Sequence, residues 1–88
     1  LYIPSAFTPN ADGLNDLLRF KAVNLRIREF IVFNRWGQQV FVWSPKNSSW
    51  DGNFKGIPQE HGIYSWTVKG IAPGEKPFVK QGTILLIR

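Results

Sequence analysis

Apolar and polar positions alternate along much of this chain. In Ile63–Gly70, Tyr64, Trp66 and Val68 fall on one face and Ser65, Thr67 and Lys69 on the other. Leu18 and Phe20 alternate with Arg19 and Lys21 in the same way. A period of two is the signature of half-buried strands, whose successive side chains point to opposite faces. Phe30–Phe33 is apolar at every position, which predicts either a central strand covered on both sides or a change of face at a bulge. Gly82–Ile87 is similar, with Ile84 and Leu86 on one side and Leu85 and Ile87 on the other. Turn-forming residues cluster at Pro9–Gly13, Asn34–Gly37, Ser44–Asn47, Asp51–Gly56, Gln59–Gly62 and Ala72–Gly74. No window carries a helical period. The pattern predicts strands near 1–6, 17–22, 26–34, 38–43, 49–54, 63–71 and 78–87. It therefore predicts an all-β, immunoglobulin-like antiparallel β-sandwich of about seven strands, with residues 1–88 forming a single domain.

Composition narrows what such a domain can do. At 88 residues and 43% hydrophobic content, there is material for one modest core. No apolar run exceeds four residues, as at Ile84–Ile87, against the roughly 20 that a membrane-spanning helix needs. The chain starts at Leu1 without a leader-like stretch, and is expected to be a piece of a longer protein. Cysteine is absent, which excludes disulfides, thiolate metal sites and cysteine nucleophiles. Eleven basic and six acidic residues give 11 − 6 = +5. The basic residues are scattered rather than clustered, so they read as a solvated surface and not as a nucleic-acid site.

The inventory of reactive groups argues against catalysis. The sole histidine, His61, precedes Gly62 in a turn and reads as a solvated loop residue. No strand pairing brings it beside Ser48 or Ser49, as a nucleophilic triad would require. The carboxylates Asp12, Asp16, Glu29, Asp51, Glu60 and Glu75 show no spacing suited to an acid/base pair. No small-molecule substrate and no obligatory cofactor are expected. One segment has metal-like spacing. Asn10, Asp12 and Asp16, with the Leu14 carbonyl and a turn at Gly13, match part of a calcium-binding loop. Thr8 stands where a first carboxylate usually sits, and Arg19 replaces a closing glutamate. Two readings stay open: calcium at Asn10, Asp12, Leu14 and Asp16, or an Asx-type turn whose side chains satisfy backbone N–H groups. Of the four tryptophans, Trp66 and Trp50 read as core. Trp36 and Trp43 read first as core or edge packing and second as a sugar-stacking platform.

Four motifs then fall in order along the chain. They are Phe7-Thr8-Pro9-Asn10 with Asp12-Gly13-Leu14-Asn15-Asp16; Asn34-Arg35-Trp36-Gly37-Gln38 with Val40-Phe41; Trp50-Asp51-Gly52 followed by Gly56, Pro58 and Gly62-Ile63-Tyr64; and Gly82–Arg88. Together they resemble the gliding-motility-associated C-terminal domain, the type B sorting domain of the type IX secretion system. Ala11 departs from the glycine common in that family and asks for a more ordinary backbone angle there.

The resemblance implies a sorting signal, free of catalysis, that directs a cargo fused on its N-terminal side through the periplasm to the cell surface or medium. The implied partners are the type IX translocon and an associated outer-membrane barrel protein, which would recognise the folded domain. Candidate contact residues are the loop Asn10–Asp16, including Asn15, together with Arg35, Trp36 and Arg88. Two rivals remain: an immunoglobulin-like structural or adhesive spacer, expected to continue past Arg88, and a carbohydrate-binding module, expected to expose Trp36 and Trp43 in a flat row.

Overall fold

The computed structural model describes residues 1–9 and 16–88. Its strands are β1 (Ala6–Phe7), β2 (Arg26–Phe33), β3 (Gln39–Val42), β4 (Asn53–Phe54), β5 (Ile57–Pro58), β6 (Gly62–Ala72) and β7 (Lys76–Leu86), and the described residues include no helix. A five-stranded sheet runs β1-β7-β6-β2-β3, and β4 and β5 form a separate two-stranded sheet. The all-β, sandwich-like architecture is the one expected from the alternation.

The backbone of the sheet is the hairpin β6–β7, paired without interruption from Gly62↔Leu86 to Ala72↔Lys76. Its alternation sorts side chains as the sequence predicts: Tyr64, Val68, Ile84 and Leu86 are buried, whereas Ser65, Lys69 and Thr83 are exposed. β2 lies between β6 and β3. Phe30 and Val32 are buried while Ile31 and Phe33 are only half-buried, so this central strand is covered on one side. Neither expectation for Phe30–Phe33 holds as stated: the β2–β3 register does shift between Val32 and Phe33, but the extra residue, Val40, lies on β3, and β2 keeps its faces. That irregularity leaves two adjacent β3 residues, Val40 and Phe41, buried together.

A second layer packs against the sheet. Leu18 exchanges backbone hydrogen bonds with Trp50 at 2.8 and 3.0 Å. Phe20 lies 5.0 Å from the Phe30 ring and 5.6 Å from Trp43. Trp50 sits between Phe7 at 5.4 Å and Tyr64 at 5.3 Å. Each fully buried side chain of this size contributes roughly 1.5–3 kcal/mol of transfer free energy.

The structure corrects several sequence expectations. The sheet is not wholly antiparallel, because β1 pairs with β7 in parallel, Ala6↔Leu85 and Phe7↔Leu86. The strand expected near 1–6 is divided: Tyr2 bonds to Lys21 in the second layer, whereas Ser5 and Phe7 accept hydrogen bonds from Leu85 and Ile87. Pro4 lies between the two partners, and lacking an N–H it cannot continue a ladder. The strands expected near 17–22 and 49–54 reduce to the isolated bridges Leu18↔Trp50 and Tyr2↔Lys21, plus the short β4. β5 was not foreseen, since Pro58 and the flanking turn residues hid it.

Candidate functional site

Three of the four sequence motifs converge at one end of the sandwich. The β2–β3 turn is fixed by Asn34. Its Oδ1 accepts from the N–H groups of Trp36 (3.0 Å) and Gln38 (2.9 Å), and its carbonyl accepts from Gly37 (3.0 Å). Gly37 closes the turn at φ 81°, in the left-handed region that costs a side chain 1–2 kcal/mol or so. On this rigid turn stand Arg35 and Trp36. The Arg35 guanidinium lies 4.4 Å over the Trp36 ring, and its Nη2 pairs with Glu60 Oε2 at 3.2 Å. Trp36 is 73% exposed. The expectation that it packs into the core or an edge fails, because the turn holds it beyond the last strand pair. Trp43, by contrast, is half-buried against Phe20, so the two rings do not form the surface row that a sugar platform would need.

The Trp50-Asp51-Gly52 motif resolves into three structural roles. Trp50, 2% exposed, anchors the core and donates from Nε1 to the Asn53 carbonyl at 2.8 Å. Asp51 Oδ1 accepts from the Asn53 N–H at 2.9 Å. Gly52 turns with φ 82°, and a Cβ there would lie 2.9 Å from Pro9 Cγ and 3.1 Å from Arg88 Nη2. The Gly52 carbonyl accepts from both Gln59 N (2.8 Å) and Arg88 Nη2 (2.8 Å).

Arg88 therefore works as a clamp. Its Nε donates to the Gln59 carbonyl at 2.6 Å and its Nη1 to Pro9 at 3.5 Å, while its backbone N–H reaches His61 Nδ1 at 3.4 Å. The loop Gln59–His61 thus links Arg88 on one side to the Arg35–Trp36 turn on the other. A cleft of about 300 Å³ opens between this loop and the Arg35–Trp36 turn, lined by Trp36, Ile57, Pro58, Glu60, His61 and Tyr64. Of the contact residues expected from sequence, Arg35, Trp36 and Arg88 are brought to this end. Asn10, Asp12, Leu14 and Asn15 lie outside the described residues, and with them most of the possible calcium ligands. Asp16 is described and stands just before Leu18 in the second layer.

Sequence reasoning missed Glu60 and the carbonyls of Gly52 and Gln59. Their partners lie 25 to 36 positions away, and a carbonyl acceptor leaves no mark in a sequence. At the floor of the cleft, the Tyr64 hydroxyl donates to the Glu60 carbonyl at 2.7 Å. Burial pushes its pKa above the usual 10.0; the Glu60 carboxylate adds to the shift, and Arg88 and Arg35 oppose it. The folded state thus favours the neutral phenol. That stabilisation is complete below the ordinary tyrosine pKa and is lost as pH rises through the higher folded value. Thermal melts between neutral pH and pH 11 should show the wild type losing more stability at the alkaline end than Tyr64→Phe. The variant should itself be about 1 kcal/mol less stable at neutral pH, for the lost hydrogen bond. Parallel alkaline slopes would refute the assignment.

The family model of the type IX secretion signal domain, CHU_C, matches residues 1–86. The chain belongs to this family. No curated protein matches the sequence. A type IX secretion signal domain marks the protein that carries it for export to the cell surface or medium, through interaction with the type IX machinery. The convergence of the Asn34–Gln38, Trp50–Gly52 and Arg88 motifs therefore has a structural explanation within a signal domain: each motif fixes its part of one end of the sandwich.

Proposed function

We propose that the type IX translocon, with an associated outer-membrane barrel protein, reads this signal domain in its folded form, and that the Arg35–Trp36–Glu60 end is the surface it reads. The cargo lies on the N-terminal side and is delivered to the recognition step from the periplasm. The domain supplies shape and surface chemistry and takes no part in a reaction. One observation carries the reading. A large indole is held 73% exposed on a turn secured by five Asn34 hydrogen bonds, with an arginine stacked on it. An exposed aromatic costs solvation free energy without helping the fold. Tryptophan and arginine are also the residues that most often dominate binding at protein interfaces.

The test is export of a fluorescent cargo fused ahead of Leu1, measured in cells with an intact and a disabled translocon. Trp36→Ala should leave the melting temperature nearly unchanged, since the ring is largely exposed and lies outside the core cluster. It should reduce translocon-dependent surface fluorescence by about tenfold or more, as expected for loss of an interface hot spot. Unchanged export by a folded Trp36→Ala domain would remove this surface from the mechanism.

A further inference from the structure

The outer edge of β7 offers a second surface, independent of the cleft end. Leu85 and Ile87 direct their N–H groups outward, to Ser5 and Phe7. The β7 register against β6 has no shift along its length. Alternation therefore turns the N–H and C=O groups of Val79, Gln81 and Thr83 outward as well. Among the described residues no strand pairs there and no hydrogen bond reaches these groups. The side chains are open too: Val79 is 63% exposed, and Gln81 and Thr83 are exposed. The window has defined ends. Pro77 has no N–H to offer, and at Leu85 the position is taken by β1.

The charges along this edge choose between occupants. β7 carries Lys76 and Lys80 and no carboxylate. Neither lysine has an ion-pair partner among the described residues, whereas the nearby carboxylates are engaged, Glu75 by Arg26 at 2.7 Å and Glu29 by Lys69 at 3.5 Å. A second copy pairing antiparallel about Gln81 would use all three residues, but it would set the two Lys80 side chains on a diagonal about 7–8 Å apart. Each copy also brings a net charge of +5. Lysine and proline on an edge are the usual protection against such self-pairing. A strand with carboxylates facing Lys76 and Lys80 meets no such penalty and gains opposite-charge cross-strand pairs.

We propose that Val79–Thr83 is a docking edge for an extended acidic segment of a partner protein, which adds to the sheet beside β7. Main-chain hydrogen bonds to Val79, Gln81 and Thr83 hold the segment, and Lys76 and Lys80 select its charge. The site needs neither the Trp36 end nor the secretion machinery, so it is tested on the purified domain.

The probe is a short peptide alternating valine with glutamate, compared with the same peptide carrying lysine in place of glutamate. Hydrogen exchange followed by NMR should show the Val79, Gln81 and Thr83 amides slowed about tenfold or more by the acidic peptide alone. Binding should weaken with added salt. Gln81→Pro should abolish the protection. Lys80→Glu, a change of an exposed side chain that leaves the fold intact, should weaken the acidic peptide several-fold and favour the basic one. Absence of protection in the folded wild type at saturating peptide would overturn the proposal. So would equal binding of both peptides, or protection of the same amides that depends on domain concentration without peptide, which would assign the edge to a second copy.

Discussion

Removing Ile84–Arg88 should leave a domain with no cooperative thermal transition and no translocon-dependent export. At Leu85 and Leu86, β7 lies inside the sheet between β1 and β6, so the deletion exposes edges on both sides. It strips Gly62, Ile63 and Tyr64 of their partners and β1 of its pairing with β7. It also deletes Ile84 and Leu86, which are fully buried. A buried Leu or Ile cut back to alanine costs about 2–5 kcal/mol each, and a domain of this size holds of order 5–10 kcal/mol in total. The loss of the Arg88 clamp on Gly52 and Gln59 comes on top of these. Circular dichroism melts and the reporter assay check both parts. A cooperative transition near that of the intact domain, or normal export of the truncated one, would contradict this account of the strand.

The second large effect is expected at Trp50. The indole touches Phe7, Phe41 and Tyr64, so it ties β1, β3 and β6 to the second layer. Trp50→Ala should cost about 3–5 kcal/mol through lost transfer free energy and the cavity left behind. It also leaves the Asn53 carbonyl without its donor. For a domain this small, that corresponds to a drop in melting temperature of about 15–30 °C. Trp50→Phe should lose distinctly less, because most of the ring volume remains. A drop of only a few degrees for the alanine variant would mean that the core is organised around other residues.

The alternating stretches made much of this fold legible. Tyr64, Val68, Ile84 and Leu86 are buried on one face because a pleated strand leaves no other choice once one side is covered. Trp50 was legible as core because a large ring followed by Asp-Gly at a turn has to fold back over something. The parallel pairing of β1 was not legible, since a two-residue strand carries no periodicity and its partner lies almost a chain length away. The second layer was obscured for a related reason: isolated bridges such as Leu18↔Trp50 hold only one residue pair each. Within the site, Arg35 and Trp36 stood out by residue type and turn position. Their meeting with Glu60, and the grip of Arg88 on distant carbonyls, depended on how the loops come together in three dimensions. Trp36 misled because aromatic rings are usually buried, and the Asn34-fixed turn overrides that tendency.

The pairing of Ala6 with Leu85 also has a consequence in time. It joins β1 to β7, so among this domain's contacts it is one of the last that can form during synthesis. The sheet stays unsealed, and Phe7 lacks its buried site against Leu86, until the ribosome has passed residue 86. Topologies closed by such distant pairs fold slowly for their size, because the loop entropy is spent before the contact is gained. A signal sealed by β7 in this way certifies that synthesis ran through to that strand.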